Sequence, residues 1–319
     1  MVFKNIITIN FLSSAWFFIS SRLAIVWLIF YTTSVFAQQD PMYSQYMFNT
    51  LTINPAYAGS RGALNATALY RTQWLMGVDG APVSQTFALH APLKNEKVGL
   101  GLNIANDKVG VQSNLNIQLC YAYIISIGAE GKLSLGLQAG AINYKSDYSK
   151  ITFTNAGNET VTQNSINNIY PSFGAGAYYR SDKFYLGLSS PRISAFQKST
   201  LQEVQLQPHY FANAGININL GERLIFRPST LIKLANGAPL QADLNANFLY
   251  NNIIGVGASY RTAESVIGLL QLHLGKIKIG YAYDYGLGAL SKMSSGSHEI
   301  ALTFETVLTK DKVVSPRFF

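Results

Sequence analysis

The chain has 319 residues, 48% hydrophobic and only 13% charged, where ordinary soluble domains carry about 25% charged residues. Mean hydropathy is +0.13, yet no run after Phe36 reaches the ~18 apolar residues of a membrane helix, so the choice narrows to a dry globule or a β-barrel. The 24 basic residues outnumber 16 acidic ones, but they are scattered without a Lys/Arg run, which excludes the usual nucleic-acid footprint.

Residues 1–37 read as a signal peptide. Lys4 and Arg22 flank a mixed stretch, Leu23 to Phe36 is apolar, and Val35-Phe36-Ala37 resembles a small-residue cleavage site. An uncleaved anchor is opposed by the shortness of the apolar segment after Arg22. Without Lys4 and Arg22 the chain keeps 22 basic residues against 16 acidic ones, a net charge of +6.

Residues 38–61 do not alternate. They are rich in aromatics and turn formers, and Asn54-Pro55 and Ala58-Gly59 mark turns. This leader is expected to pack near or inside a barrel mouth, as a plug or as a docking segment for a partner. Tyr43, Tyr46, Phe48 and Tyr57 would supply anchoring area, and Asn54 with Pro55 would fix the bend.

From residue 62 to 308 an apolar/polar alternation of strand period recurs. Lys132 to Ala141 is the clearest copy: Leu133, Leu135, Leu137, Ala139 and Ala141 share one face, Ser134, Gly136, Gln138 and Gly140 the other. Fourteen strands are predicted, over 62–71, 83–91, 98–106, 114–125, 132–143, 172–180, 183–190, 208–220, 223–233, 239–250, 253–261, 265–274, 276–285 and 297–308. The number is even, and each length suits a membrane-crossing strand of about 9–11 residues. Connections after even strands are short, such as Asn251-Asn252 and Gly275, whereas those after odd strands are mostly longer, above all Tyr144–Pro171 and Pro191–Gln207. Outer-membrane barrels sort turns and loops in this way, and a soluble sandwich has no reason to. Thr262-Ala-Glu264 is the exception, short on the long side. The fold expected is therefore all-β: a membrane-spanning antiparallel barrel of about fourteen strands with a non-strand N-terminal segment, followed by a C-terminal tail at 309–319.

On the last strand Ile300, Leu302 and Phe304 point outward and Glu299, Thr303 and Glu305 inward, because carboxylates facing lipid are costly. Lys276, Lys278 and Asp284 share the inner face of the strand before it. Tyr281, Tyr283 and Tyr285, like Tyr121 and Tyr123, sit where an aromatic girdle would. Cross-strand pairing in a soluble sheet would place them equally well.

Catalytic and metal signals are weak. His90, His209, His273 and His298 fall on four strands without ligand spacing, and Cys120 is the lone cysteine, in phase with Gln118 and Ala122. No Gly-x-Ser-x-Gly elbow occurs, and the Gly-x-Gly pairs at 174 and 255 lie inside strands rather than at strand-to-helix turns. Neither an enzyme nor a cofactor is expected. The Asn-rich loop 144–171, with Asn155, Asn158, Asn164, Asn167 and Asn168, is a candidate contact for a surface cargo or else a plain solvated loop.

Gln39 to Asn49, Ile53-Asn-Pro-Ala-Tyr-Ala-Gly59, Arg71-Thr-Gln-Trp74 with Gly77 and Gly80-Ala-Pro82, Phe184 to Pro191 and Ser315 to Phe319 resemble the PorP/SprF family. The resemblance covers essentially the whole mature chain; the Asn-Pro-Ala-Tyr-Ala-Gly and Arg-x-Gln-Trp elements carry it, and Phe318-Phe319 departs mildly from an expected Tyr-Phe ending. It implies an outer-membrane barrel of type IX secretion and gliding machinery, working with other machine components and with secreted or adhesin cargo, without catalysis. Arg71 and Trp74 join the leader residues as candidate docking or plug positions. A channel or transporter for small or lipophilic solutes is the competing reading of the same barrel, and a soluble periplasmic β-protein is a third.

Overall fold

The computed structural model describes residues 42–74, 79–93, 96–150, 165–193, 207–235, 238–288 and 295–307. The expected signal peptide, Gly77, residues 151–164 of the Asn-rich loop and the C-terminal tail from residue 309 lie outside them. Every described strand belongs to one unit, Gln38–Asn236 with Leu240–Phe319.

Strands β1 (Leu64–Thr72), β2 (Val83–Pro92), β3 (Val98–Val109), β4 (Gln112–Ile127) and β5 (Gly131–Ser146) follow the leader. Next come β6 (Ile166–Arg180), β7 (Phe184–Arg192), β8 (His209–Ile216), β9 (Ile218–Asn219) and β10 (Leu224–Ala235). The series ends with β11 (Gln241–Tyr250), β12 (Ile254–Arg261), β13 (Ser265–Leu274), β14 (Ile277–Gly286) and β15 (Ser297–Thr306).

Apart from β8 and β9, which do not pair with each other, each strand pairs antiparallel with its neighbours along the chain, and the ring closes where β1 meets β15, from Leu64↔Thr306 to Thr72↔His298. β8 and β9 are one stave interrupted at Asn217: both pair with β10 in the same register. That register sets Pro228 of β10 opposite Ile216, and a proline has no N–H to give the ladder. Counted by staves, the barrel has fourteen.

Side chains alternate across the wall as the period of two requires. On β15, Glu299, Ala301, Thr303 and Glu305 are buried, while Ile300, Leu302 and Phe304 are exposed. On β5, Ser134, Gly136 and Gln138 turn inward, and Leu135 and Leu137 outward. The outward face is an apolar belt on every stave, far beyond the few hundred Å² that soluble monomers leave uncovered. Lipid is the solvent that such a belt requires.

The sequence placed the ends of the tallest strands too low. β5 and β6 keep pairing up to Tyr144↔Asn168 and Ser146↔Ile166, so Asn167 and Asn168 are strand residues rather than loop. Likewise β3 and β4 pair through Asp107↔Asn114 to Val109↔Gln112, leaving Gly110-Val111 as a tight turn on the long side. Past the lipid belt the outward face turns polar and exposed, as at Lys145 and Asn167, so the apolar alternation fades although the hydrogen-bond ladder continues.

Candidate functional site: the interior leader and its charged clasp

Residues 42–61 lie inside the ring. Met42, Tyr43, Tyr46, Met47, Phe48, Leu51, Ile53 and Tyr57 are all buried, and their partners come from staves on opposite sides of the barrel. The chain descends from the end carrying the longer loops, at Ser44, to the end with the short turns, at Arg61.

Local chemistry shapes the descent. Two short 3-10 turns, Thr50–Thr52 and Pro55–Tyr57, replace regular structure. Asn54 caps the second: its Oδ1 accepts from Ala56 N at 3.0 Å, and Pro55 takes the first helical position, where a missing N–H costs nothing. Asn54 Nδ2 donates to Ala177 O on β6 at 3.1 Å, tying the bend to the wall. Tyr57 packs edge-on against His90 and Tyr178. Ala56 and Ala58 lie so close to the wall that a Cβ on Gly136 of β5 would overlap the Ala56 backbone, and one on Gly99 of β3 would overlap the Ala58 carbonyl. The Asn-Pro-Ala-Tyr-Ala-Gly element is thus a fitted turn: cap, fixed φ, two small residues facing wall glycines, and a ring between aromatics.

At the long-loop end a charged clasp holds Ser44 and Gln45. Glu299 of β15 accepts from the Ser44 backbone N–H at 2.8 Å and from the Gln45 N–H at 2.7 Å. The Ser44 hydroxyl donates to Asp284 of β14 at 2.6 Å and accepts from Arg71 Nη1 of β1 at 2.9 Å. Arg71 Nη2 reaches Asp284 at 2.7 Å, and Arg71 Nη1 reaches Glu299 at 3.3 Å. Arg261 of β12 extends the cluster, 2.9 Å from Asp243 and 3.7 Å from Asp284. Buried charges persist only when paired and hydrogen-bonded, and here the leader backbone completes the pairing.

Midway, the Tyr46 hydroxyl lies 3.2 Å from Ser229 Oγ and accepts from Asn245 Nδ2 at 3.3 Å. At the short-turn end Arg61 pairs with Glu305 at 2.8 Å and donates to Tyr57 Oη at 3.3 Å, with Lys278 Nζ 3.7 Å from the same carboxylate.

Of the residues singled out from sequence, Tyr43, Tyr46, Phe48, Asn54, Pro55 and Tyr57 come together inside the barrel, and Arg71 joins them through the clasp. Trp74 does not: it follows β1 in a bend at the loop end, half-buried, with φ of 54°. Sequence reasoning placed Glu299, Glu305 and Asp284 on the inner face but missed Ser44 and Gln45 as partners of Glu299 and Asp284, missed Arg61 as the partner of Glu305, and missed the role of Gly99 and Gly136. Glycines falling on the inward phase of a strand were the available signal. Among the described residues no cluster of His, Cys, Asp and Glu has the makings of a metal site.

A closed antiparallel ring with a lipid-compatible belt and a chain segment fastened through its interior defines an outer-membrane β-barrel. The chain belongs to the PorP/SprF family of type IX secretion system membrane proteins, whose family model matches residues 35–304. No curated protein matches the chain. Among solved structures it is similar to the Ralstonia pickettii toluene transporter TbuX at 10% identity, over 81% of this chain and 92% of that one, with a TM-score of 0.44. A Pseudomonas aeruginosa FadL homologue matches at 10% identity over 83% and 94%, TM-score 0.42. The KdgM porin matches at 8% over 75% and 98%, TM-score 0.38.

Proposed function

We propose that this barrel is a non-catalytic accessory of the secretion machine, closed by its own leader, that assists secretion or surface attachment of cargo proteins. The observation behind this reading is the clasp: Glu299, Asp284 and Arg71 from three staves converge on Ser44, a residue of the interior segment. A leader fixed by buried charge and by backbone-tight packing on Gly99 and Gly136 suits a standing closure rather than a gate. With Tyr43, Tyr46, Phe48 and Tyr57 buried inward, partner contacts fall to the barrel rims. By the usual sorting of barrel connections, the short-turn rim faces the periplasm and the long-loop rim the cell exterior.

Planar-bilayer recording of the full chain and of a chain lacking residues 41–59, paired with cargo display on cells, tests this. Closure predicts a silent full-length barrel and a steady pore after deletion. Normal cargo display by a correctly inserted deletion variant would remove the leader from any docking role. A full-length barrel that conducts steadily would favour the channel or transporter reading instead.

A further inference from the structure

The lipid-facing wall is not uniform around the ring. Strands β3 to β6 pair in direct register, so their outward residues form rows that climb toward the long-loop end. Ile104, Ile117, Ala141 and Pro171 make an apolar row. The next row, Asn106, Leu115, Asn143 and Ile169, mixes amides with aliphatic side chains. Lys108, Ser113, Lys145 and Asn167 make the row above it, polar throughout and carrying two positive charges.

Two residues along a strand advance about 7 Å, and the polar headgroup layer is about 5–8 Å deep on each side of the hydrocarbon. The lysine row, one step past the mixed row, therefore lies at headgroup depth. Lys108 and Lys145 are both exposed and stand on either side of Ser113, two strand spacings or about 10 Å apart. Ser113 donates to Asn106 Oδ1 at 3.3 Å, which leaves recognition to the lysines. Neither lysine has an ion-pair partner among the described residues. Asp147, the carboxylate just past Lys145, accepts from Ser149 Oγ at 2.6 Å and from Ser165 Oγ at 3.2 Å. Toward the long-loop ends of other staves the outward side chains are aromatic or aliphatic, with Tyr70 on β1, Tyr210 on β8, Leu234 on β10, Tyr260 on β12 and Tyr285 on β14 all exposed.

We propose that the β3–β5 arc binds an anionic lipid, its phosphate held between Lys108 and Lys145 in the leaflet on the long-loop side. Lysine is a point charge on a flexible four-carbon stem, so two of them can converge on one phosphate without a preset geometry. The acyl chains of the same lipid then lie on Leu115, Ile117 and Ile104 below the lysines. A free anion would use the charges alone, in water where salt screens them. An acidic protein segment would likewise meet the lysines without the apolar rows that lead up to them. A zwitterionic headgroup brings its own cation to the phosphate and gains little from two more.

The test titrates the full chain in neutral detergent micelles with phosphatidylglycerol and, separately, with phosphatidylcholine of the same acyl chains, counting retained lipids by native mass spectrometry. Phosphatidylglycerol should be retained at least tenfold more tightly. Lys108→Gln and Lys145→Gln should each weaken that binding about fivefold, and the double variant about thirtyfold, as expected for lysines beside an anionic surface. Phosphatidylcholine retention should not change in any of the three. Lys183→Gln, in the exposed turn after β6 at the opposite rim, is the control and should leave phosphatidylglycerol binding as it is. Equal retention of the two lipids, a double variant that binds like the parent, or an equal loss from Lys183→Gln would each overturn the assignment. Displacement of the lipid by an equimolar amount of inorganic phosphate would overturn it too, by making a free anion the ligand.

Discussion

Ser44 and Glu299 stand 255 residues apart in the chain, yet the Ser44 N–H meets Glu299 Oε2 at 2.8 Å inside the barrel. The contact ties the turn at Ser44 and Gln45 of the leader to the stave that closes the ring on β1. Closing the sheet and seating the leader are therefore coupled events, since the carboxylate is fully buried and its oxygens are satisfied by the Ser44 and Gln45 backbone together with Arg71.

Replacing Glu299 with Gln should loosen the leader without expelling it. The amide keeps the shape but can accept at only one of its two positions, so one backbone N–H loses its partner, and Arg71 keeps Asp284 as its counter-charge and the Ser44 hydroxyl as its neutral acceptor. A cost of about 1–3 kcal/mol is expected for the unpaired donor, read as faster hydrogen exchange at Ser44 and Gln45. Unchanged exchange at both amides would show that the clasp does not hold the segment.

A side chain at Gly136 tests the backbone fit. Gly136→Val puts carbon where the Ala56 backbone already lies, and neither backbone can yield as a flexible side chain would. Overpacking typically costs about 1–3 kcal/mol, more where backbone must move. The variant should insert poorly or conduct. Combined with deletion of residues 41–59 the penalty should vanish, because the obstacle is gone; a double variant as defective as the single one would place the fault in the wall instead.

The wall was legible from sequence because one physical rule, alternation against lipid, repeats on every stave; Leu133, Leu135 and Leu137 announce their face unaided. Strand tops such as Asn167 and Asp107 were not legible, since past the lipid belt the outward face is polar too and pairing loses its apolar signature. For the interior, the leader motif and Arg71 stood out in the chain. The partnership of Ser44 with Glu299 did not, because it depends on which stave closes the ring.

Tyr46 allows polar and apolar contributions to be separated. Its ring is 1% exposed, and its hydroxyl meets Ser229 and Asn245. Tyr46→Phe should cost about 1 kcal/mol for the lost hydrogen bonds, and Tyr46→Ala about 3–5 kcal/mol for the emptied ring site. Both would be measured as shifts in the midpoint of thermal unfolding on gels. Equal shifts for the two variants would mean that the ring contributes nothing to seating the leader.

Opposite faces of one hairpin supply the last comparison. Leu137 on β5 is 63% exposed on the apolar belt, and its cross-strand neighbour on the same face is Tyr121. An arginine there must lie in hydrocarbon or reach for the interface, at about 2–4 kcal/mol near the midplane. Asn116 on β4 faces the interior cavity instead, where water and polar neighbours receive a charge. Leu137→Arg should therefore lose stability by that amount in urea titrations from lipid vesicles, while Asn116→Lys should cost about 1 kcal/mol, the hydrogen bond that Asn116 Oδ1 accepts from Gln118 Nε2 at 2.6 Å. If the two substitutions cost the same, the outward face does not meet lipid, and the membrane-spanning reading of this sheet fails with it.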